Sequence, residues 1–152
     1  MRVHSIRRLT WRLAAASLAL MFGAASASAR TTFHELDVAR AKTEGTGHEK
    51  LLDIPVFMAG EKHRDVAKDL GGFRSNRRTN ASNKTDEEAC QIAFLSALIQ
   101  LQSRARDLGA DAVVDVSSIT RDEPFASATQ YRCAAGSLVA NVALEGRMVK
   151  LK

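Results

Sequence analysis

Cysteine and proline are scarce in this sequence, and each scarcity excludes a class of protein. Two cysteines among 152 residues cannot build the dense disulfide framework of a small secreted miniprotein. Two prolines and nine glycines are far from the composition of collagen. Hydrophobic residues make up 45% of the chain and charged residues 26%, which is ordinary for a globular protein and excludes wholesale disorder. The length allows one compact domain and hardly two.

Several catalytic and cofactor motifs are also missing from the sequence. It has no Gly-x-x-x-x-Gly-Lys-Ser/Thr loop to hold phosphates and no Gly-x-Ser-x-Gly nucleophile elbow. It has no Cys-x-x-Cys redox pair, and His34, His48 and His63 do not fall at metal-ligand spacing. Three consecutive acids, Asp86 to Glu88, are interpreted as helix-capping residues, not as catalytic carboxylates. We therefore expect no cofactor and no metal, and no residue is nominated as catalytic.

The N-terminus has the pattern of an export signal. Residues 1 to 12 are basic, Leu13 to Ala25 form an apolar run, and Ala27-Ser28-Ala29 places small residues at a signal-peptidase site. The apolar run is shorter than the roughly 20 residues that cross a bilayer, so removal is favoured over a retained membrane anchor. Arg30, not a cysteine, follows the cut, which excludes a lipoprotein anchor made at this site. We predict a signal peptide over residues 1–29, cleaved after Ala29, and a periplasmic or secreted mature protein.

The net charge of the whole chain does not describe the mature protein, because the basic residues are unevenly distributed along the sequence. The whole chain carries +5, but four of its arginines lie within the first 29 residues, before the first acid, Glu35. Removal of the first 29 residues leaves 18 basic and 17 acidic residues. The mature chain thus has no general electrostatic attraction for nucleic acid or another polyanion, and we expect no nucleic acid as a partner. Any anion binding must come from a local patch.

The first part of the mature chain is weakly patterned. Residues 30–49 are predicted to form a weakly structured segment with a short helix from His34 to Lys42, and residues 50–152 a single domain. Within that domain, Ile54 to Met58 has the character of a strand with Pro55 near its start. Val66 to Thr79 is interpreted as strand sequence interrupted by a break at Gly71-Gly72.

The strongest local pattern is a long helix that begins after Thr85. Thr85 can cap the helix, Glu88 can complete a capping box, and Gly109 provides the stop. Apolar residues recur between these points at helical spacing over a wide face, which indicates a helix buried against a sheet. The strands predicted to follow are Ala112 to Val116 and Leu138 to Leu144, with a turn at Glu145-Gly146 and a final segment from Met148 to Leu151. The predicted fold class is α+β, with one long helix packed on a small, mainly antiparallel sheet.

Cys90 and Cys133 are the only two cysteines, and both remain after removal of the signal peptide. In an oxidising compartment an even number of cysteines favours a disulfide. The alternative is two separate buried thiols that act as small hydrophobic residues. A bridge would connect the first turn of the long helix to a late strand.

One stretch of the mature chain is concentrated in basic residues. Arg74, Arg77 and Arg78, followed by Lys84, alternate with asparagines. Neighbouring guanidinium groups can bind oxyanions in bidentate fashion, so these four residues are the candidate contacts for an anionic ligand or a partner protein. The alternative is a solvated strand edge whose charges prevent aggregation.

Three stretches of the sequence also resemble known families. They are Glu88 to Gln91, Ala105 to Val114 and Tyr131 to Ser137. They resemble the outer-membrane lipoprotein sensor of the Rcs envelope-stress phosphorelay and the YbjQ-type family of small α+β proteins, over roughly residues 54 to 144. The resemblance implies a helix packed on a small sheet and a non-catalytic signalling or interaction role in the envelope. The matching cysteines of the sensor belong to two different disulfides, so here the resemblance implies pairing of Cys90 with Cys133. The chain lacks the sensor's lipid-bearing cysteine and Pro-rich tether.

The whole chain is also similar to a set of small exported proteobacterial proteins that carry the label "excinuclease ATPase subunit". The label requires a phosphate-binding loop, which this sequence lacks, and export would separate the protein from chromosomal DNA. The function expected from the sequence is that of an exported, non-catalytic binding or envelope-sensing module, with an envelope protein or an anionic ligand as partner. The alternatives are an anionic-ligand or nucleic-acid-binding protein and a small periplasmic enzyme of unknown reaction.

Overall fold

The computed structural model describes residues 31–152 and shows one sheet with a long helix packed on it. The predicted signal peptide lies outside the described residues. The described part has six strands and two α-helices, and the longer helix packs against one side of the sheet. The elements are β1 (Thr32–Asp37), α1 (Val38–Glu44), β2 (Val56–Met58), β3 (Val66–Asn80), α2 (Asp86–Asp107), β4 (Ala112–Ser118), β5 (Gln130–Ala135) and β6 (Val139–Leu151).

Strand β6 is the centre of the sheet. On one side it pairs antiparallel with β3 from Val139 to Leu151. On its other side it pairs first with β5, at Ala140 and Asn141, and then with β4, from Leu144 to Val149. Strand β1 continues the sheet beyond β5 in antiparallel pairing, and β2 continues it beyond β4 in parallel pairing. The predicted α+β class, with a long helix on a mainly antiparallel sheet, is confirmed.

Helix α2 forms where its local sequence predicts it. The side chain of Thr85 accepts a hydrogen bond from the backbone N–H of Glu88, at 3.1 Å, and three acids occupy the first turn. Gly109, with φ of 64°, follows the last turn in the left-handed conformation that glycine adopts without strain. The helix buries ten residues against the sheet, which explains the wide apolar face of its sequence.

The segment predicted to be weakly structured contains, from Thr32 onward, a strand and a short helix. Strand β1 alternates between half-buried and exposed residues and pairs with β5, so it lies at an edge of the sheet. The predicted helix from His34 to Lys42 is wrong in its first turn, because Asp37 caps the helix by accepting a hydrogen bond from the N–H of Arg40 at 2.6 Å. The helix therefore begins at Val38. The polar alternation of β1 is weak as a sequence signal because an edge strand buries little of either face.

The two predicted breaks in the long strands are absent. Strand β3 passes through Gly71-Gly72 with an irregularity in its register. Strand β6 passes through Gly146, so the predicted turn at Glu145-Gly146 is wrong. A Cβ atom on Gly146 would lie 2.9 Å from side-chain carbons of both Val113 and Val116. Glycine occupies this position because the two valines pack against its backbone, not because the chain turns.

We expect Gly146→Ala to lower the free energy of unfolding by about 2 kcal/mol, because the added methyl group must displace two buried valines. Gly72→Ala, on the neighbouring strand, is the matched control, since its Cβ would meet no atom closer than 3.8 Å. Urea denaturation of the two variants and the parent measures the difference. Equal stability of the two variants would contradict the close-packing explanation.

The core has two parts, one on each face of the sheet. The larger part lies between the sheet and α2 and includes Phe94, Leu98 and Leu144. A small second cluster, built on Val114 and Val149 and partly covered by Phe57, lies on the opposite face at one end of the sheet. We call the rest of that opposite face the open face. No helix within residues 31–152 is long and apolar enough to cross a membrane.

Candidate functional site

Cys90 and Cys133 form a disulfide, as predicted. Their Cα atoms are 5.8 Å apart, and both residues are fully buried. The bond joins the start of α2 to β5. Cys133 is on the side of β5 that packs against α2, and the next residue, Ala134, lies on the open face. The disulfide therefore holds β5 in place, and the other face of this strand contributes Ala134 to a cavity on the open face.

The basic stretch of the sequence is divided between two faces of β3. The hydroxyl group of Ser75 donates to the Oε1 atom of Gln100 on α2 at 2.7 Å, and the Arg104 guanidinium lies 5.8 Å from the centre of the Phe73 ring. The odd-numbered residues of this stretch thus face α2. Because side chains alternate along a strand, Arg77 lies on the same side, whereas Arg74 and Arg78 lie on the open face.

The open face contains a cavity of about 840 Å³. It lies between β3, the start of β6 and a single 3₁₀ turn, Thr120–Asp122, that follows β4. Three arginine side chains line it: Arg74 and Arg78 from β3 and Arg121 from the turn. Asp122 is the acidic residue of its lining. We call this cavity the arginine cleft.

Arg121 is a site residue that sequence reasoning missed. Arg121 and Asp122 have φ values of 58° and 60°, so two consecutive non-glycine residues adopt the left-handed conformation. This conformation costs roughly 1 to 2 kcal/mol for each residue. The buried hydroxyl group of Thr120 anchors the turn, because it donates to the carbonyl oxygen of Arg132 at 2.9 Å and accepts from the N–H of Ala143 at 3.1 Å. No local pattern in a connecting segment predicts this conformation.

The arginines of the cleft differ in their ion pairs. Arg74 lies 3.1 Å from the carboxylate of Glu145, but its side chain is 72% exposed, so the pair is weak. Arg121 donates a hydrogen bond to the hydroxyl group of Thr31 at 3.2 Å. Within the described residues, no carboxylate oxygen lies within 4 Å of the charged nitrogens of Arg78 or Arg121. Two guanidinium groups of the lining therefore have no ion-pair partner in this part of the chain.

Two asparagines complete the polar part of the cleft. The side-chain amide of Asn141 donates to the Oδ1 atom of Asn76 at 2.6 Å and to the carbonyl oxygen of Arg77 at 3.0 Å. These bonds fix both side chains across the β3–β6 pair, between the arginines. The floor consists of the small side chains of Ala134 and Ala143. The arrangement offers guanidinium and amide donors above a floor with no side-chain polar atoms.

A neighbouring region of the open face is charged but already neutralised. The Arg147 guanidinium contacts the carboxylates of Asp69 and Asp115, both at 2.6 Å. The hydrogen bonds that Arg147 donates to Asp115 and Asp69 raise the pKa of Arg147. The hydrogen bonds that Asp69 accepts from the N–H of Gly71 and from Arg147 lower the pKa of Asp69. Because its charge is matched by two acids, Arg147 is a poor contact for a further anion.

The remaining predicted contact, Lys84, lies apart from the cleft. It is half-buried in the connection between β3 and α2, where its N–H donates to the carbonyl oxygen of Ala81. Of the four basic residues nominated from the sequence, the structure thus brings Arg74 and Arg78 together with Arg121, and it separates Arg77 and Lys84 from them. Within residues 31–152 there is no cluster of three or more metal-ligating side chains.

The fold and the cleft define a class: a disulfide-bonded α+β protein with one face of its sheet covered by a helix and an arginine-lined cavity on the other. Comparison of the chain with known protein families, curated proteins and solved structures found no match. The resemblances to the envelope sensor, to the YbjQ-type proteins and to the excinuclease-labelled set therefore stay predictions from the sequence.

Proposed function

We propose that this chain is an exported, non-catalytic binding module that holds an anionic ligand in the arginine cleft. The observation that carries the proposal is the convergence of Arg74, Arg78 and Arg121 from two separate parts of the chain on one cavity. Two of the three have no carboxylate partner within the described residues. A strand edge that merely resists aggregation needs no such convergence.

The chemistry of the cleft favours a ligand with a carboxylate, phosphate or sulfate group. Each guanidinium presents parallel N–H donors that match two oxygens of such a group. The strained backbone at Arg121 supports the proposal, because residues held in unfavourable conformations cluster at ligand sites. The side-chain amide nitrogen of Asn76, whose oxygen is held by Asn141, supplies a further hydrogen-bond donor between the arginines.

The proposed location outside the cytoplasm has two supports. The disulfide between Cys90 and Cys133 is compatible with an oxidising compartment, since cytosolic proteins rarely keep such bonds. The N-terminal sequence has the three regions of a signal peptide. In this setting a rigid cleft suits capture or sensing of an anionic molecule in the envelope, with an envelope protein as a further partner.

We expect the double variant Arg74→Gln/Arg78→Gln to bind inorganic phosphate at least tenfold more weakly than the parent, because it loses two charge-assisted contacts. Heteronuclear NMR titration at low ionic strength, where screening is small, measures the affinity. Arg77→Gln/Lys84→Gln is the matched control: it also removes two positive charges, and neither residue lines the cleft, so its affinity should stay within about twofold of the parent.

A third variant tests the strained arginine. Arg121→Gly places glycine where φ is 58°, so it should fold at least as stably as the parent while weakening phosphate binding. Equal losses in Arg77→Gln/Lys84→Gln and in Arg74→Gln/Arg78→Gln would indicate general charge attraction, and that result would contradict the cleft as the site. Binding of neither phosphate nor a monocarboxylate by the parent would overturn the proposal.

A further inference from the structure

We propose, on the basis of the function proposed above, that the ligand is a small single-chain anionic amphiphile. Its carboxylate or phosphate head binds the arginines, and its hydrocarbon tail lies on Leu138 and Val139. We infer this ligand class because an inorganic anion bound to the arginines would leave Leu138 and Val139 exposed to water.

The most exposed large hydrophobic side chains of the described residues line the same cavity as the three arginines. Leu138 is 68% exposed and Val139 is 46% exposed, and both are in the lining of the cleft. Elsewhere in residues 31–152, large exposed hydrophobic residues occur singly, at Phe33 and Leu108, with 39% and 38% exposure. Scattered apolar residues need no explanation, but two neighbours beside a cationic cavity form a patch.

The backbone holds this patch in position. The carbonyl oxygen of Leu138 accepts a hydrogen bond from the N–H of Ala81 at 2.9 Å, and the N–H of Gly136 donates to the carbonyl oxygen of Val139 at 3.0 Å. The connection between β5 and β6 is thereby tied to the end of β3. Both residues are thus kept in the lining of the cleft, with their side chains exposed to water.

The apolar surface continues into the cleft. Ile119, which is half-buried, and the small side chains of Ala134 and Ala143 also line it. A tail that starts at the arginines can therefore remain in contact with carbon atoms from the floor to Leu138. Removing this surface from water stabilises the complex in proportion to the apolar area covered.

The charges around the cleft favour a single molecule over a membrane surface. Arg147 is matched by two carboxylates, Arg74 faces Glu145, and Asp122 is itself in the lining. Attraction to a planar anionic bilayer requires a broad excess of positive charge near the surface, whereas these acids offset part of the positive charge of the open face. A head group bound within the cavity meets the arginines directly.

The test is a titration of the purified protein with acetate, hexanoate, octanoate and decanoate, each kept below its micelle concentration. Isothermal calorimetry gives the affinity, and NMR shifts locate the contacts. We expect the affinity to rise about two- to fourfold for each added methylene group, as burial of hydrocarbon predicts. Phosphate is titrated in parallel as an anion without a tail.

Two substitutions separate the tail from the head. Leu138→Ser should remove most of the chain-length dependence, whereas Leu108→Ser, at an exposed leucine just after α2 and outside the cleft lining, should keep the full dependence. Both side chains are exposed, so neither variant is expected to alter folding, and urea denaturation checks this. Arg74→Gln/Arg78→Gln should weaken every member of the series.

Each outcome supports or overturns the inference. Phosphate binding with no dependence on chain length would overturn the amphiphile assignment and leave the anion site standing. Chain-length dependence that survives in Leu138→Ser, or in the arginine double variant, would also overturn it, because the tail or head would then bind elsewhere. Binding to phosphatidylglycerol vesicles without binding of monomeric decanoate would replace it with a membrane surface. Absence of both phosphate and decanoate binding would overturn the anion site as well.

Discussion

Replacement of both Cys90 and Cys133 by alanine is expected to lower the free energy of unfolding by about 4 kcal/mol. The two residues are 43 positions apart, and a cross-link over that span removes much of the conformational freedom of the unfolded chain. In the folded chain the bond joins α2 to β5 within the core, where both cysteines are fully buried. Urea denaturation of the oxidised parent and of the double variant measures the difference.

The matched control for this experiment is the parent protein unfolded in the presence of a thiol reductant. It retains both sulfur atoms and should match the double variant within about 1 kcal/mol if the cross-link, not the side-chain packing, carries the effect. A loss below 1 kcal/mol in the double variant would contradict the structural importance of the bond. Because Ala134 adjoins Cys133 and lines the cleft, phosphate affinity of the double variant also reports whether β5 keeps its position.

Gln102→Leu is expected to cost about 4 kcal/mol, the second large effect. Gln102 lies on α2 and is only 4% exposed. Its Oε1 atom accepts from the N–H of Leu52 at 3.0 Å, and its Nε2 atom donates to the carbonyl oxygens of Leu52 and Ile54, both at 2.8 Å. Leucine has a similar volume but leaves three backbone groups without their partner, each at a cost of about 1 to 3 kcal/mol.

Gln100→Leu is the control for this substitution. Gln100 is on the same helix and makes one side-chain bond, with Ser75, so its replacement should cost about 1 kcal/mol. Urea denaturation gives both values, and amide hydrogen exchange at Leu52 should be faster in Gln102→Leu alone. Similar costs for the two variants would show that the bonds of Gln102 to the segment before β2 contribute little.

The long helix could be predicted from the sequence because its determinants are local. Thr85, the acids that follow it and Gly109 act within a few residues of their own positions, and the apolar face repeats at the helical period. The disulfide was predicted from the number of cysteines and the expected compartment, and the structure confirms it. The helix could be predicted because its signals act over short range, and the disulfide because two cysteines allow only one pairing within the chain.

Gly146 shows why the strand boundaries were harder to predict. The same residue type serves turns and close packing, and the two uses look alike in a sequence. The difference depends on Val113 and Val116, which are on another strand. Strand β1 is similar: its pairing with β5, almost a hundred residues later in the chain, decides its conformation more than its own weak pattern.

The candidate site could be predicted in part from local sequence patterns and in part only from tertiary contacts. The sequence by itself determined the α+β class, the long helix, the pair of cysteines and the concentration of arginines near residue 75, because these follow from composition and short-range patterns. Only the tertiary structure decided that Arg77 faces α2, that Arg78 shares a cavity with Arg121, and that Leu138 lies beside them. The physical reason is that side chains alternate between the two faces of a strand, and only the packing of a helix on one face decides which of them are covered. Contacts between distant segments likewise depend on the packing of the whole chain.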